Sequence, residues 1–172
     1  VSPLFGGGRA IPGRTRGRFR HLELPDGRRG WVESRAITLG ATRARPLEER
    51  IERLLGVPYL WGGRTPFGLD CSAFTQLVLG EEGIRLPRDA ADQARVCRRL
   101  AAGEAQRPGD LAFFARPRAR IGHVGIGLSG GLFAHARGHV RIASLDHRNP
   151  LCDNALVQQF RFWGRVGDRE TP

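Results

Sequence analysis

An α+β fold is what this sequence predicts, from the order of its hydrophobic patterns and from its composition. Helical periodicity fills the stretch from Pro46 to about Leu100, and short strands follow from Asp110, so the two do not alternate as a parallel sheet requires. Of 172 residues, 40% are hydrophobic and 26% charged, with three Trp and nine Phe to build a core, which excludes a wholly disordered chain. No run approaches the ~18 apolar residues of a membrane span, and the N-terminus has neither an apolar signal core nor a small-residue cleavage site. The chain reads as soluble. It opens at Val1 within a strand-and-turn pattern and contains no Met, so an upstream piece is expected.

Residues 1–31 are crowded with Gly and Pro. Phe19, Leu22 and Leu24 precede the turn Pro25-Asp26-Gly27, and Gly30-Trp31-Val32 follows it, which makes a β-hairpin with Asp-Gly at the turn. A piece of about 40 residues buries little core alone, so 1–40 is half of a small barrel or an appendage of its neighbour. Residues 38–46 read as linker, and 41–172 hold the main domain.

Past Pro46, Leu47, Ile51, Leu54 and Leu55 form the apolar stripe of a helix that Gly56 and Pro58 stop. A turn-rich loop over 59–69 leads to Asp70, an N-cap type, and to a helix in which Phe74, Leu77 and Val78 share a face and which ends before Gly83. A third helix, from about Asp89 to Leu100, carries Ala90, Ala94 and Cys97 on one side. Strands are expected at 111–114, 123–128, 132–136, 140–145 and 160–166.

The formal net charge is +11, and all 28 basic residues are Arg. A nucleic-acid surface ordinarily mixes Lys with Arg and adds stacking aromatics or a basic helix, so this pattern is read as codon bias rather than phosphate recognition. Residues 1–40 hold 8 Arg against 3 acids, a basic face suited to a wall polymer or an acidic peptide.

Cys71, Cys97 and Cys152 are too few and too widely spaced for a disulfide framework, and no CxxC, HExxH or HxH spacing supports a zinc site. At least one thiol stays free, and Cys152 either does so or pairs with Cys97. Cys71 follows an N-cap at a helix start, where backbone N–H groups and the macrodipole favour a thiolate nucleophile. The preceding loop, Tyr59-Leu60-Trp61-Gly62-Gly63, can bring backbone donors to a reacting carbonyl. In strand 123–128, His123 shares a face with Gly125 and Gly127, leaving room for the helix end to approach. A hairpin centred on Ser129 would set His123 directly opposite His135, and two adjacent imidazoles suit a base and its orienter. His21, His139 and His147 read as exposed, Cys97 as core, Trp31 and Trp61 as packing anchors, and Asp92 and Gln93 carry no assignable role.

Six blocks now stand in order: Pro58-Tyr59-Leu60-Trp61-Gly62-Gly63, Asp70-Cys71-Ser72-Ala73-Phe74, Leu86-Pro87-Arg88-Asp89, Arg107-Pro108-Gly109-Asp110-Leu111, Gly122-His123-Val124-Gly125-Ile126 and Phe133-Ala134-His135-Ala136. Over about residues 46–166 they resemble the NlpC-type cell-wall cysteine peptidases. The resemblance implies a papain-like fold, a triad of Cys71, His123 and His135, Tyr59 near the oxyanion site, and hydrolysis of peptide bonds in peptidoglycan stems. Residues 18–37 are similar to the last strands of a bacterial SH3-like module. Members with such a module often act on free muropeptides, at the bond between γ-D-glutamate and the diamino acid. Two departures stand: the first half of the module is missing, and Ala73 replaces the family's usual glycine.

On this reading the partner is a peptidoglycan stem peptide or muropeptide, without nucleic acid, membrane span, cofactor or metal, and the chain acts as a monomer. Muropeptide recycling places it first in the bacterial cytoplasm, ahead of the envelope. Asp70 and Ser72 suit a substrate's free α-ammonium and Arg88 a carboxylate, with helix capping and loop-holding as the roles that compete. Trp61 is a further candidate for substrate contact. The rival readings are a catalytically inactive wall-binding module and a basic nucleic-acid binder.

Overall fold

The computed structural model describes residues 10–37 and 44–167. They fall into two compact units, one up to residue 44 and one from residue 45.

The first unit is an antiparallel sheet of β1 (Ile11–Arg16), β2 (Phe19–Glu23) and β3 (Arg29–Glu33) in that order, closed by a 3-10 turn at Ser34–Ala36. The β2–β3 hairpin turns where Asp-Gly predicts it. Gly27 takes φ +81° and donates to Leu24 O, while the Asp26 carboxylate accepts from Arg28 N–H. β1 was hidden by Pro12 and Gly13, which its register shift between Pro12 and Thr15 accommodates. Trp31 is no packing anchor: it is 41% exposed and meets its cross-strand partner His21 edge-on, centroids 5.4 Å apart. His21 is correspondingly half-buried rather than exposed. Residues 38–43 of the expected linker lie outside the described residues.

The second unit runs α1 (Leu47–Glu52), β4 (Arg64–Thr65), β5 (Gly68–Leu69), α2 (Cys71–Gly80), α3 (Ala90–Val96), β6 (Cys97–Arg99), β7 (Leu111–Phe114), β8 (His123–Gly127), β9 (Leu132–Arg137), β10 (His139–Ser144), α4 (Asn154–Gln159) and β11 (Phe160–Val166). Its main sheet has the order β10-β9-β8-β7-β11-β6, every neighbouring pair antiparallel. The α+β class follows, with helices first and the sheet after.

Three elements depart from the sequence reading. α1 ends at Glu52, because the chain turns through 53–56 to dock on β10, Gly56 N–H donating to Val140 O; Leu55 is left exposed. The third helix stops at Val96, because Cys97–Arg99 pairs with the end of β11, a long-range partner that outweighs local propensity. α4 has only six residues, too few to show a period, although its Asp153 cap accepts from Leu156 N–H at 3.0 Å.

Strand alternation divides the core. α2 lays Phe74 and Val78 on the face of Val124, Ile126, Ala134, Ala136 and Val140. Ala112, Phe114, Phe133 and Ala143 look the other way, onto Leu156 of α4. The glycine-lined face of β8 therefore does not receive the helix; the space above Gly125 is taken by Phe133 and His135. A Cβ at 125 would lie 2.9 Å from Ala134 O, 2.9 Å from the Phe133 ring and 3.2 Å from His135 Cβ. Gly125→Ala should accordingly cost about 1–3 kcal/mol and lower Tm by about 3–9 °C in calorimetry, and an unchanged Tm would contradict this packing.

Candidate active site

Asp70 leaves extended backbone and opens α2, its Oδ1 accepting from Ala73 N–H at 2.8 Å. The same oxygen accepts from Ser72 Oγ and Arg88 Nη1, both at 3.1 Å. Oδ2 accepts from Gly62 N–H at 3.1 Å and from Arg88 Nη2. Gly62 reaches it with φ +74°, a left-handed conformation that suits glycine. Arg88 Nη1 also donates to Ser72 Oγ at 2.9 Å. Burial pushes the Asp70 carboxyl up, but Arg88 and the Ala73 N–H outweigh it and hold it below the usual carboxylate range. The three flanking candidates thus form one connected cluster, and Asp70 takes five hydrogen bonds within it.

Gln93, which carried no assignable role in the sequence, sits fully buried behind this cluster. Its Nε2 donates to Ser72 O at 3.1 Å and Pro87 O at 2.9 Å, and Thr75 Oγ1 donates to its Oε1 at 2.8 Å. Gln76 Nε2 adds a bond to Leu86 O at 2.9 Å. The Leu86-Pro87-Arg88 loop is thereby tied to α2, which sets Arg88 against Asp70.

Cys71 follows on the first turn of α2, 6% exposed. Burial pushes its thiol up to about 11, while the N–H of Val124 and those of the helix start pull it down without prevailing. Burial thus opposes the thiolate that the helix start favours, the two acting on the sulfur in opposite directions. Its sulfur lies against the start of β8, one residue past His123. Tyr59 is held beside it by Tyr59 N–H donating to Gly138 O at 2.8 Å. Burial, then the nearby Cys71 and Asp70, raise the Tyr59 phenol. Trp61 is 86% exposed, so it anchors no packing and presents its indole to solvent on the same loop.

His123 Nε2 and His135 Nδ1 are 3.0 Å apart, their rings nearly perpendicular. They are not directly opposed as expected. β9 pairs with β8 two residues further along, Gly125 opposite His135, because the turn closes around Gly130 and Gly131, both at φ near +70°. A two-residue offset preserves the face, so the rings meet diagonally. Phe114, the register partner of His123, packs under its imidazole at 5.5 Å. Burial first, then Arg137, pushes His123 down to about 4; burial, then His123, pushes His135 down to about 2. Burial thus favours the neutral form of both rings, and in that form a single N–H lies along this contact. If His123 is to accept a proton at Nδ1, its Nε2–H must donate to His135 Nδ1. His135 then carries its proton on Nε2, an atom buried without a protein partner among the described residues.

No hydrogen bond joins the Cys71 sulfur to either imidazole. The other cysteines stand apart: none is in a disulfide, burial pushes Cys97 up to about 12, and Cys152 lies beside His147 and Asn154. Among the described residues, no group of His, Cys, Asp and Glu is arranged to hold a metal ion.

A thiol on a helix start, a loop tyrosine beside it and a histidine pair on the adjoining strands all lie between residues 59 and 135. The NlpC/P60 family model matches residues 56–161. The chain belongs to this family. The γ-D-glutamyl-L-lysine dipeptidyl-peptidase of Bacillus subtilis (strain 168) is 42% identical over 84 residues, which are 48% of this chain and 28% of that protein. The Bacillus cereus protein of the same name is 31% identical over 122 residues, 66% of this chain and 36% of its own. The crystal structure of an NlpC/P60 family protein from Bacillus cereus ATCC 10987 superposes with a TM-score of 0.77 at 25% identity, covering 95% of this chain and 55% of that one. The chain thus spans about a third of the curated relatives' length.

The neutral imidazoles make the NlpC/P60 domain acid-sensitive. Above pH 6.5 folded and unfolded chains hold these rings alike. Below it the unfolded chain takes up protons that the folded one refuses until about pH 4 for His123, so stability falls through this window. Calorimetry from pH 7.5 to 4 should show Tm dropping most between 6.5 and 4, with a shallower slope in His135→Gln; a flat Tm through that window would contradict the buried neutral pair.

Proposed function

We propose that this chain is a cysteine peptidase that hydrolyses peptidoglycan stem peptides between γ-D-glutamate and the diamino acid. The observation that carries the reading is the His123–His135 contact at 3.0 Å beside the buried Cys71 thiol. His123 Nδ1 takes the thiol proton as sulfur attacks the amide carbonyl, and the bound substrate completes the thiol–imidazole contact that the free protein lacks. Backbone N–H groups at the start of α2, with Tyr59 beside them, face the developing oxyanion. The C–N bond breaks as His123 returns the proton to the leaving amine. Water, deprotonated by His123, then cleaves the thioester and restores the thiol. His135 orients His123 through the Nε2–Nδ1 bond.

On the α2 side, Asp70, Ser72 and Arg88 serve first as a scaffold, since they satisfy one another. A substrate's free α-ammonium or α-carboxylate would join this cluster by sharing those bonds, and Trp61 offers an apolar face at its edge.

Incubation with L-Ala-γ-D-Glu-meso-diaminopimelate should yield L-Ala-γ-D-Glu and free diaminopimelate by mass spectrometry. Cys71→Ala should give no product, and His123→Ala should lose about 10²–10⁴-fold in kcat. His135→Asn, whose amide oxygen can still accept from His123, should keep about tenfold more activity than His135→Ala. Full turnover by Cys71→Ala, or equal losses for the two His135 variants, would contradict the assigned roles.

A further inference from the structure

The β7–β8 loop runs Arg116-Pro117-Arg118-Ala119-Arg120, separated from His123 by Ile121 and Gly122. It is pinned in a compact turn: Ala115 N–H donates to Gln159 O, Ala119 N–H to Arg116 O and Gly122 N–H to Phe114 O. A cleft of about 350 Å³ opens beside it, lined by His123, Tyr59 and Phe114 together with Arg116, Arg120 and Arg137. Its wall carries no acidic side chain. Arg116 and Arg120 form no ion pair among the described residues, and Arg137 only leans on Asp153 at 3.7 Å, which Arg141 holds at 2.6 Å. Three arginines, two of them in no ion pair among the described residues, therefore line a space of the size of one small ligand group, next to the proposed general acid.

The side of the scissile bond matters. His123 must reach the leaving nitrogen to protonate it, so the residue released as the amine is the one that extends past His123 toward this loop. The Asp70–Ser72–Arg88 cluster lies on the α2 side, toward the acyl half.

We propose that Arg116, Arg120 and Arg137 form a carboxylate-binding subsite for the leaving residue, selecting a diamino acid whose side chain ends in a carboxylate over one that ends in an amine alone. This rests on the peptidase reading above and specifies its substrate. A planar guanidinium pairs bidentately with a carboxylate, and the cleft offers three of them. Bound there, the carboxylate would also offset Arg137, one of the groups that keep His123 from accepting a proton, so recognition and proton transfer assist each other.

Two peptides that differ at this group test it: L-Ala-γ-D-Glu-meso-diaminopimelate and L-Ala-γ-D-Glu-L-Lys. Binding is read by calorimetry on the full chain carrying Cys71→Ser, and turnover on the unaltered chain. The diaminopimelate peptide should bind about tenfold more tightly and show about tenfold higher kcat/KM, and the ratio should fall toward one with Arg116→Gln and Arg120→Gln together. Circular dichroism confirms that the double variant is folded, and Arg116→Gln alone serves if it is not. Equal Kd values for the two peptides, or a ratio that survives the double variant, would overturn the subsite. A Kd preference without cleavage of either peptide would support the subsite and overturn the peptidase reading alone.

Discussion

The ionised Asp70 carboxylate is the constraint on which the rest of the site depends. It caps α2 through Ala73 N–H, holds the 59–63 loop through Gly62 N–H, and anchors Arg88 and Ser72. Without it the first turn of α2 would lose its cap, typically about 1 kcal/mol, and Arg88 would be left half-buried and unpaired. Three segments around Cys71 meet at this group: the helix on which it rides, the loop that carries Tyr59, and the Arg88 segment that Gln93 separately clamps to the same helix.

The second constraint is dryness. Desolvation pushes the Cys71 thiol up and both imidazoles down, which favours neutral groups over an ion pair. In the proposed reaction charge would separate only when a substrate arrives to receive it, with backbone donors at the start of α2 placed for the oxyanion. Polarity is arranged asymmetrically around this neutral centre. The α2 side carries an Asp70–Arg88 pair whose charges cancel, and the β7–β8 side carries arginines that do not. On the proposed reading, an extended substrate across Cys71 would meet a balanced cluster on one side and a positive one on the other.

Much of this was legible in the sequence, for identifiable reasons. The cap at Asp70, the helix it opens and the strands Leu111–Phe114 and Phe160–Val166 are local matters of spacing and capping, and they stand where periodicity sets them. The candidate triad came from the resemblance that the six sequence blocks carry, the helix-start cysteine and strand-borne histidines alone admitting packing roles equally well. What failed were quantities that depend on distant partners. Cys97–Arg99 became a strand because β11 lies beside it, the β8–β9 register moved two residues because the turn closed on Gly130, and the burial that opposes the helix end's pull on the Cys71 thiol was invisible in one dimension. The role of Gln93 needed the fold to bring Thr75, Ser72 and Pro87 around it. The Arg116–Arg120 run, by contrast, stood in plain view two residues before the Gly122-His123 block, and its position there was the signal.

If the Cys71 sulfur is the nucleophile, the acyl group must pass through it and can be trapped there. Turnover of L-Ala-γ-D-Glu-meso-diaminopimelate, quenched in acid on the millisecond scale and read by intact-protein and peptide mass spectrometry, should show the L-Ala-γ-D-Glu acyl group as a thioester on the peptide containing Cys71 and on no other. Product formed with the adduct on Cys97 or Cys152, or with Cys71 unmodified throughout a pre-steady-state burst, would contradict the account.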